Sequence, residues 1–216
     1  MTARLMLALD ASAGPASVAL FMNDELLQAT RIDRQGSAEL LAPTVAEVLR
    51  AAGREARELT DVIVGGGPGS FTGLRVAAAL GKGLARGSGA SLHAVLSLAL
   101  IAAADDNAAP GLYFAVLDAL RAEWFMQKLR KHADGRWAVL SAMERRASTD
   151  VRARAEAEAA TIVGPPIDIA QQPDARAALR VGFEAVDRDG WEPDYGRLAE
   201  AQVQWELSHS QPLPTA

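Results

Sequence analysis

Three apolar runs open the chain: RLMLAL (4–9), ASVALFM (16–22) and ELLQATRID (25–33), separated by DASAGP and by a tight turn at Asn23-Asp24. Runs of this length bounded by turn residues predict strands, here an antiparallel meander. SAELLAPTVAEVLRAAG follows, with Leu40, Leu41, Val45, Val48, Leu49 and Ala52 at helical spacing and Gly53 as the stop, which predicts an amphipathic helix over 37–52. Pro43 removes one hydrogen bond and crowds the carbonyl of Glu39, so this helix begins near Ala42 or kinks there.

The period then changes. DVIVG (61–65) predicts a short buried strand, residues 70–86 a helix, SLHAV (91–95) a strand and LSLALIAAA (96–104) a helix. Alternation of strand and helix implies parallel pairing and a βαβ unit. Beyond DDNAAPG, the runs LYFAVLDA, EWFMQKLR and RWAVLSA predict a second meander with turns at Leu120-Arg121 and Asp134-Gly135. TIVG (161–164) adds a strand, PDARAALRVGFEAVDRDG (173–190) a helix ending at Gly190, and SHSQPLPTA a frayed tail. Two successive units of this kind predict an α/β protein of two lobes, residues 1–106 and 107–216.

Composition narrows the function classes. Half of the 216 residues are hydrophobic, enough for a sizeable core. The absence of cysteine removes disulfides, thiolate zinc sites and cysteine nucleophiles, and fits a reducing, cytoplasmic setting. The apolar N-terminal run is broken by Asp10 and Pro15 and lacks a charged leader, so it reads as mature structure and not as a membrane or signal segment. Net charge is −5, with 9 basic and 9 acidic residues before residue 100 and 13 against 18 after it. Neither half carries the positive stripe expected of a chain that holds nucleic acid by itself. The group Arg121, Lys128, Arg130, Lys131 and Arg136 reads as the solvated face of a hairpin.

The stretch VIVGGGPGSFTGLRVAAALGKGLARG (62–87) is the densest candidate for function. Glycines between a strand and a helix let an anion or another backbone come close. No Gly-Lys-Ser/Thr closes a Walker loop, and Gly73 falls one position late for a dinucleotide fingerprint. Ser70 is a good N-cap, and the amides of Phe71, Thr72 and Gly73 could hold an anion or merely start the helix. Further along, Gly73, Ala77, Gly81 and Ala85 recur every four residues as a ridge with almost no side chain. Interior glycines cost roughly 1 kcal/mol each relative to alanine, so close packing must compensate, either by strands of the same lobe or by a helix of a partner.

Asp10, with Ser12, follows the first strand. A carboxylate there suits either a phosphate loop with a metal-orienting aspartate or an ordinary turn. His93, His132 and His209 are scattered without a metal-binding spacing, so no metal site is expected. GPGSFTG does not make a nucleophile elbow, and no catalytic set is visible.

LALDASAGPASVALF together with GGGPGSFTGLRVAAALGKGLA closely resembles the bacterial TsaB (YeaZ) family, and the order of elements matches over about the first 120 residues, including LDALRAEWF. The resemblance implies the two-lobed fold of actin, sugar kinases and heat-shock ATPases with a shortened second lobe. It also implies a non-catalytic partner role in making threonylcarbamoyl-adenosine in tRNA, beside a catalytic paralogue, TsaD, and an ATPase, TsaE. Contact with tRNA is expected to be indirect or weak. Departures from the family pattern are Gly36 where a histidine usually precedes Ser37, Asp118-Ala119-Leu120 with Arg121 one position late, and Tyr195-Gly196-Arg197.

Two readings follow. In the first, the helices over 37–52 and 70–86 dock on equivalent helices of the paralogue, or of a second copy, through Leu41, Thr44, Val45, Val48, Gly73, Val76, Ala77, Leu80 and Gly81. Asp10, Ser12, Gly67, Gly69 and Ser70 then form a vestigial nucleotide or anion site. VGPP (163–166) is too short and stiff to supply the second lobe's share, so ATP with magnesium should bind weakly or at the complex interface, and no intrinsic cofactor is expected. In the second reading, the chain is an autonomous ATPase or small-molecule kinase using Asp10.

Overall fold

A computed structural model describes residues 3–32 and 38–196, and every structural statement below concerns those residues. Gly36, Ser37, Arg197, His209 and the expected frayed tail lie outside them.

The first meander forms as its apolar runs predict: β1 (Leu5–Asp10), β2 (Ala16–Met22) and β3 (Glu25–Ile32) are antiparallel, with Leu5 opposite Met22 and Asp10 opposite Ser17. β4 (Asp61–Gly65) and β5 (Ser91–Val95) join β1 in parallel on its other side, giving the order β3-β2-β1-β4-β5. The two parallel strands are linked by α2 (Phe71–Ser88), which Ser70 caps at 3.3 Å from the Gly73 amide and which stops at the left-handed Gly89. α1 (Leu41–Ala51) starts at Leu41. Pro43 therefore falls in its first turn, where a missing N–H leaves no helical bond unmade.

Below α3 (Ser97–Ala102) the chain enters a second sheet. β6 (Gly111–Asp118) and β7 (Glu123–Lys131) form a long antiparallel hairpin; β8 (Trp137–Val139) and β9 (Glu144–Ala147) pair with β7, and β10 (Thr161–Val163) runs parallel to β6. α4 (Ser148–Ala157) covers the outer face. β9 and α4 are not legible in the sequence, because ERRASTDVRARAEA buries only Val151 and Ala155 of α4 and shows no apolar stripe.

One expected element is not observed. In place of a helix over 173–190 there is a 3₁₀ turn (Ala175–Ala177), the single turn α5 (Ala178–Val181), a left-handed Gly182 and β11 (Glu184–Ala185) paired antiparallel with β5. Gly182 breaks the helical run, and the chain returns to the edge of the first sheet.

The result is layered. α1 and α2 pack on one face of the first sheet around Leu7, Leu9, Val18, Leu20, Val62 and Val64. α3 and the segment 175–178 lie on the other face with Met6, Ala8, Phe21 and Ile63, and meet the inner face of the second sheet at Tyr113, Leu117, Phe125 and Leu129. No helix among the described residues is long and apolar enough to cross a membrane.

Candidate functional site

Asp10 closes β1 and is 1% exposed. Its Oδ1 accepts from the Ser12 amide at 2.8 Å and from Ser12 Oγ at 2.7 Å, while Oδ2 accepts from Ser97 Oγ at 2.7 Å. Ser97 in turn accepts the Gly67 amide at 3.1 Å through Oγ and donates its own amide to the Gly67 carbonyl at 3.0 Å. Burial raises the Asp10 carboxyl above its ordinary range, against the lowering effect of the Ser97 and Ser12 hydrogen bonds. A Cβ on Gly65 would collide with this carboxylate, so glycine is required there. The residues singled out at this end of the sheet, Asp10, Ser12, Gly67, Gly69 and Ser70, are thus brought together. Hydrogen bonds tie all but Gly69 together: Ser70 donates its amide to the Ser12 carbonyl at 2.6 Å and Gly73 gives its amide to Ser70 Oγ, while the Ser12 carbonyl fills the place of a Cβ on Gly69.

Among these glycines, two serve a backbone that the sequence reading did not identify. The C-terminal strap, residues 191–196, crosses the turn: Trp191 lies against Gly66, the Asp194 amide donates to the Gly66 carbonyl at 2.8 Å, and the Asp194 carbonyl fills the place of a Cβ on Gly67. Tyr195 stacks on Phe71 with ring centroids 4.7 Å apart. Lys82 pairs with Glu192 at 3.1 Å and Arg86 with Asp189, so α2 is gripped along its length. Gly66 and Gly67 carried the signal that something comes close, and the strap residues Trp191 and Asp194 are what comes.

The small-residue ridge faces inward. A Cβ on Gly73 would strike the Ala11 carbonyl and one on Gly81 would strike Val64, while Ala77 and Ala85 are fully buried against the same sheet. Leu41, Val45 and Val48 likewise sit in the core beneath α1. These six residues, Leu41, Val45, Val48, Gly73, Ala77 and Gly81, therefore do not present themselves to a partner, because the strands of their own lobe take them up. Thr44, Val76 and Leu80 remain partly exposed. Beside them α2 presents Ala79 and Gly83 to solvent, and a Cβ on Gly83 would meet nothing within 4 Å. A shallow groove of about 380 Å³ runs here past Ala79, Leu80, Gly83 and Leu84.

Between the lobes opens a cleft of about 920 Å³ lined in part by Ser12, Gly14, Arg31, Asp118, Phe125 and Gln172, with Pro165 and Pro166 at its far wall. The first lobe's loop does not fit a magnesium-bound phosphate: Asp10 is sealed from the cleft, with both oxygens already bonded by serines. Among the described residues no three His, Asp or Glu side chains converge to hold a metal ion. His93 instead holds Asp61, at 2.8 Å through Nε2, in a cluster with Arg4 and Thr60 at the opposite end of the sheet. In the basic group, Lys128 pairs with Glu158, Arg136 with Asp134, and the Lys131 ammonium bonds the Asp106 carbonyl.

The comparisons with known proteins converge. The family model TsaD, tRNA N6-adenosine threonylcarbamoyltransferase, matches residues 31–146. The chain is 32% identical over 99 residues to the tRNA threonylcarbamoyladenosine biosynthesis protein TsaB of Haemophilus influenzae, covering 46% of this chain and 42% of that one. It is 27% identical over 134 residues to TsaB of Escherichia coli, covering 61% and 58% respectively. The chain thus spans about half the length of the curated relatives it matches. YeaZ from Pseudomonas aeruginosa shares its fold with a TM-score of 0.72 at 23% identity, over 89% of this chain and 99% of that one. The α/β architecture of two sheets is therefore the one observed, and it is the fold of that YeaZ structure. With the family match running over more than half of the sequence, the chain belongs to the TsaD family, and the curated proteins it resembles are TsaB proteins.

Proposed function

We propose that the chain is a non-catalytic subunit in the making of threonylcarbamoyl-adenosine beside the anticodon of tRNA, acting in the cytoplasm by binding a TsaD-like catalytic paralogue and, through it, a TsaE-like ATPase. The observation that carries this reading is the sealed Asp10. A phosphoryl-transfer site needs a carboxylate that faces the ligand and its metal, and here the first lobe's carboxylate is spent on holding the glycine turn. Nucleotide should accordingly bind the isolated chain weakly. Lys128 and Arg136 of the second lobe are paired with acidic residues, which supports a tRNA contact that is indirect or weak.

The docking surface is the outer side of α1 and α2 at Thr44, Val76, Ala79, Leu80 and Gly83. Small and apolar residues there let a partner helix approach closely. A second copy of the chain is the competing occupant. The test is size-exclusion chromatography of the chain with its paralogue, using wild type, Leu80→Glu and the fully surface Ala79→Glu. Co-elution of wild type and its loss in both variants supports the reading. Co-elution of all three places the interface elsewhere, and ATP turnover by the chain alone that disappears in Asp10→Ala would replace the subunit role with an autonomous enzyme.

A further inference from the structure

A groove of about 320 Å³ lies where β11, the end of β5 and the strap meet, away from both the lobe cleft and the outer face of α2. Its walls are aromatic and aliphatic: Phe183, Trp191 and Leu96, the last 41% exposed although it is a large apolar residue. Its rim carries Glu184, Glu192 and Asp194, and no lysine or arginine lines it.

The walls are held from behind. Phe183 packs edge-on against His93, centroids 4.9 Å apart, and His93 is fixed by its bond to Asp61. Trp191 is anchored through its amide to the Asp187 carbonyl at 2.9 Å and lies over Gly66. On the rim, Glu192 is engaged with Lys82, and Asp194 Oδ1 accepts the Gly196 amide at 2.8 Å. Glu184 is different: its exposed carboxylate has no bonded partner among the described residues.

We propose that this groove is a docking site for an arginine side chain of a partner protein. The volume suits one long side chain. The aliphatic stem would lie on Leu96 and the guanidinium plane on the aromatic walls, with its N–H groups turned to Glu184 and the rim. Arginine is favoured over lysine because a planar, weakly hydrated cation stacks on rings and still donates in the ring plane, whereas an ammonium must shed a tightly held water shell. Charge complementarity selects the cation; an uncharged aliphatic side chain would fill the stem position and leave the Glu184 carboxylate unmet. The proposal does not depend on which protein the α1–α2 face binds.

The test uses the full-length protein labelled with ¹⁵N and titrated with N-acetyl-arginine amide, the corresponding lysine amide and the norleucine amide. The expected result is saturable shifts at the amides of Gly66, Ala94 and Val95 and at the Trp191 indole with arginine, weaker binding of lysine and no saturable shifts with norleucine. Glu184→Gln should weaken arginine binding about threefold, the size expected for one solvent-facing ion pair, with the rest of the spectrum unchanged. Phe183→Leu should also weaken it by removing the stacking wall. Arginine shifts that do not saturate, norleucine or lysine binding as tightly as arginine, or an affinity untouched by both substitutions would each overturn the proposal.

Discussion

The carbonyl oxygen of Asp194 stands where a Cβ on Gly67 would be, and Gly67 itself adopts a left-handed φ of +97°. A side chain at 67 therefore meets both steric and conformational cost. Gly67→Ala is expected to lose roughly 2–4 kcal/mol and to release the strap, seen as a lower thermal midpoint and faster proteolytic cutting within residues 191–196. Gly83→Ala, at an open helical position, should instead gain up to about 1 kcal/mol. A Gly67→Ala variant that loses no stability, or no difference between the two, would mean that the strap does not rest on the turn.

Ala77 and Ala79 lie two positions apart on α2 and face opposite ways, one fully buried and one exposed. Ala77→Leu should cost about 1–3 kcal/mol by overpacking the sheet beneath, with or without any partner present. Ala79→Glu should leave the denaturation midpoint nearly unchanged. Chemical denaturation of the two variants checks this directly, and an unaffected Ala77→Leu would show that the ridge is not packed as described.

The pH dependence has a sign set by Asp10. Burial raises its carboxyl in the native state, so the folded chain holds that proton to higher pH than the unfolded chain, whose value is about 3.9. Stability then falls as pH rises from the unfolded value through the native one, and the cost is fully present above it. Asp10→Asn cannot ionise. Its stability relative to wild type should rise across that same window, measured as denaturant midpoints at a series of pH values; a gap that is flat or falls with pH would contradict the assignment.

Asp61 has the opposite sign. Burial pushes its carboxyl up, but hydrogen bonds from Arg4, Thr60 and His93, with the Arg4 charge, outweigh this and hold it below the usual range. Its contribution is present above the unfolded carboxylate value and disappears as pH falls through the depressed one. Because Arg4 is half exposed, Arg4→Met should cost no more than about 1 kcal/mol at neutral pH. That loss should vanish in acid. A penalty that persists after Asp61 is protonated would assign the effect to packing of the arginine stem.

Much of the first lobe was legible because each of its elements announces itself locally. DVIVG and SLHAV are strands in the structure as in the sequence, and Ser70 caps α2 as its place before the helix suggests. The candidate site was legible only in part. The glycine spacing showed that backbones approach closely, but not which ones, since Asp194 reaches Gly67 across 127 positions of chain. The helical ridge was ambiguous for the same reason: a small-residue stripe fits a sheet below or a helix above equally well, and the outcome was fixed by Val64 and Ala11. In the second lobe, Gly182 ends a helical pattern that composition alone extends to Gly190, and α4 hides because its solvated faces outweigh Val151 and Ala155.

We propose that the chain works by binding a catalytic paralogue through the outer side of α1 and α2. Light scattering on chromatographed mixtures with the TsaD-like paralogue tests it most directly, by reading the mass of the complex for wild type and for Ala79→Glu. A heterodimer mass for wild type and separate monomer masses for the variant, at unchanged thermal midpoint, is the predicted result. A heterodimer that forms equally well with Ala79→Glu, or no complex with the wild-type chain at all, would contradict it.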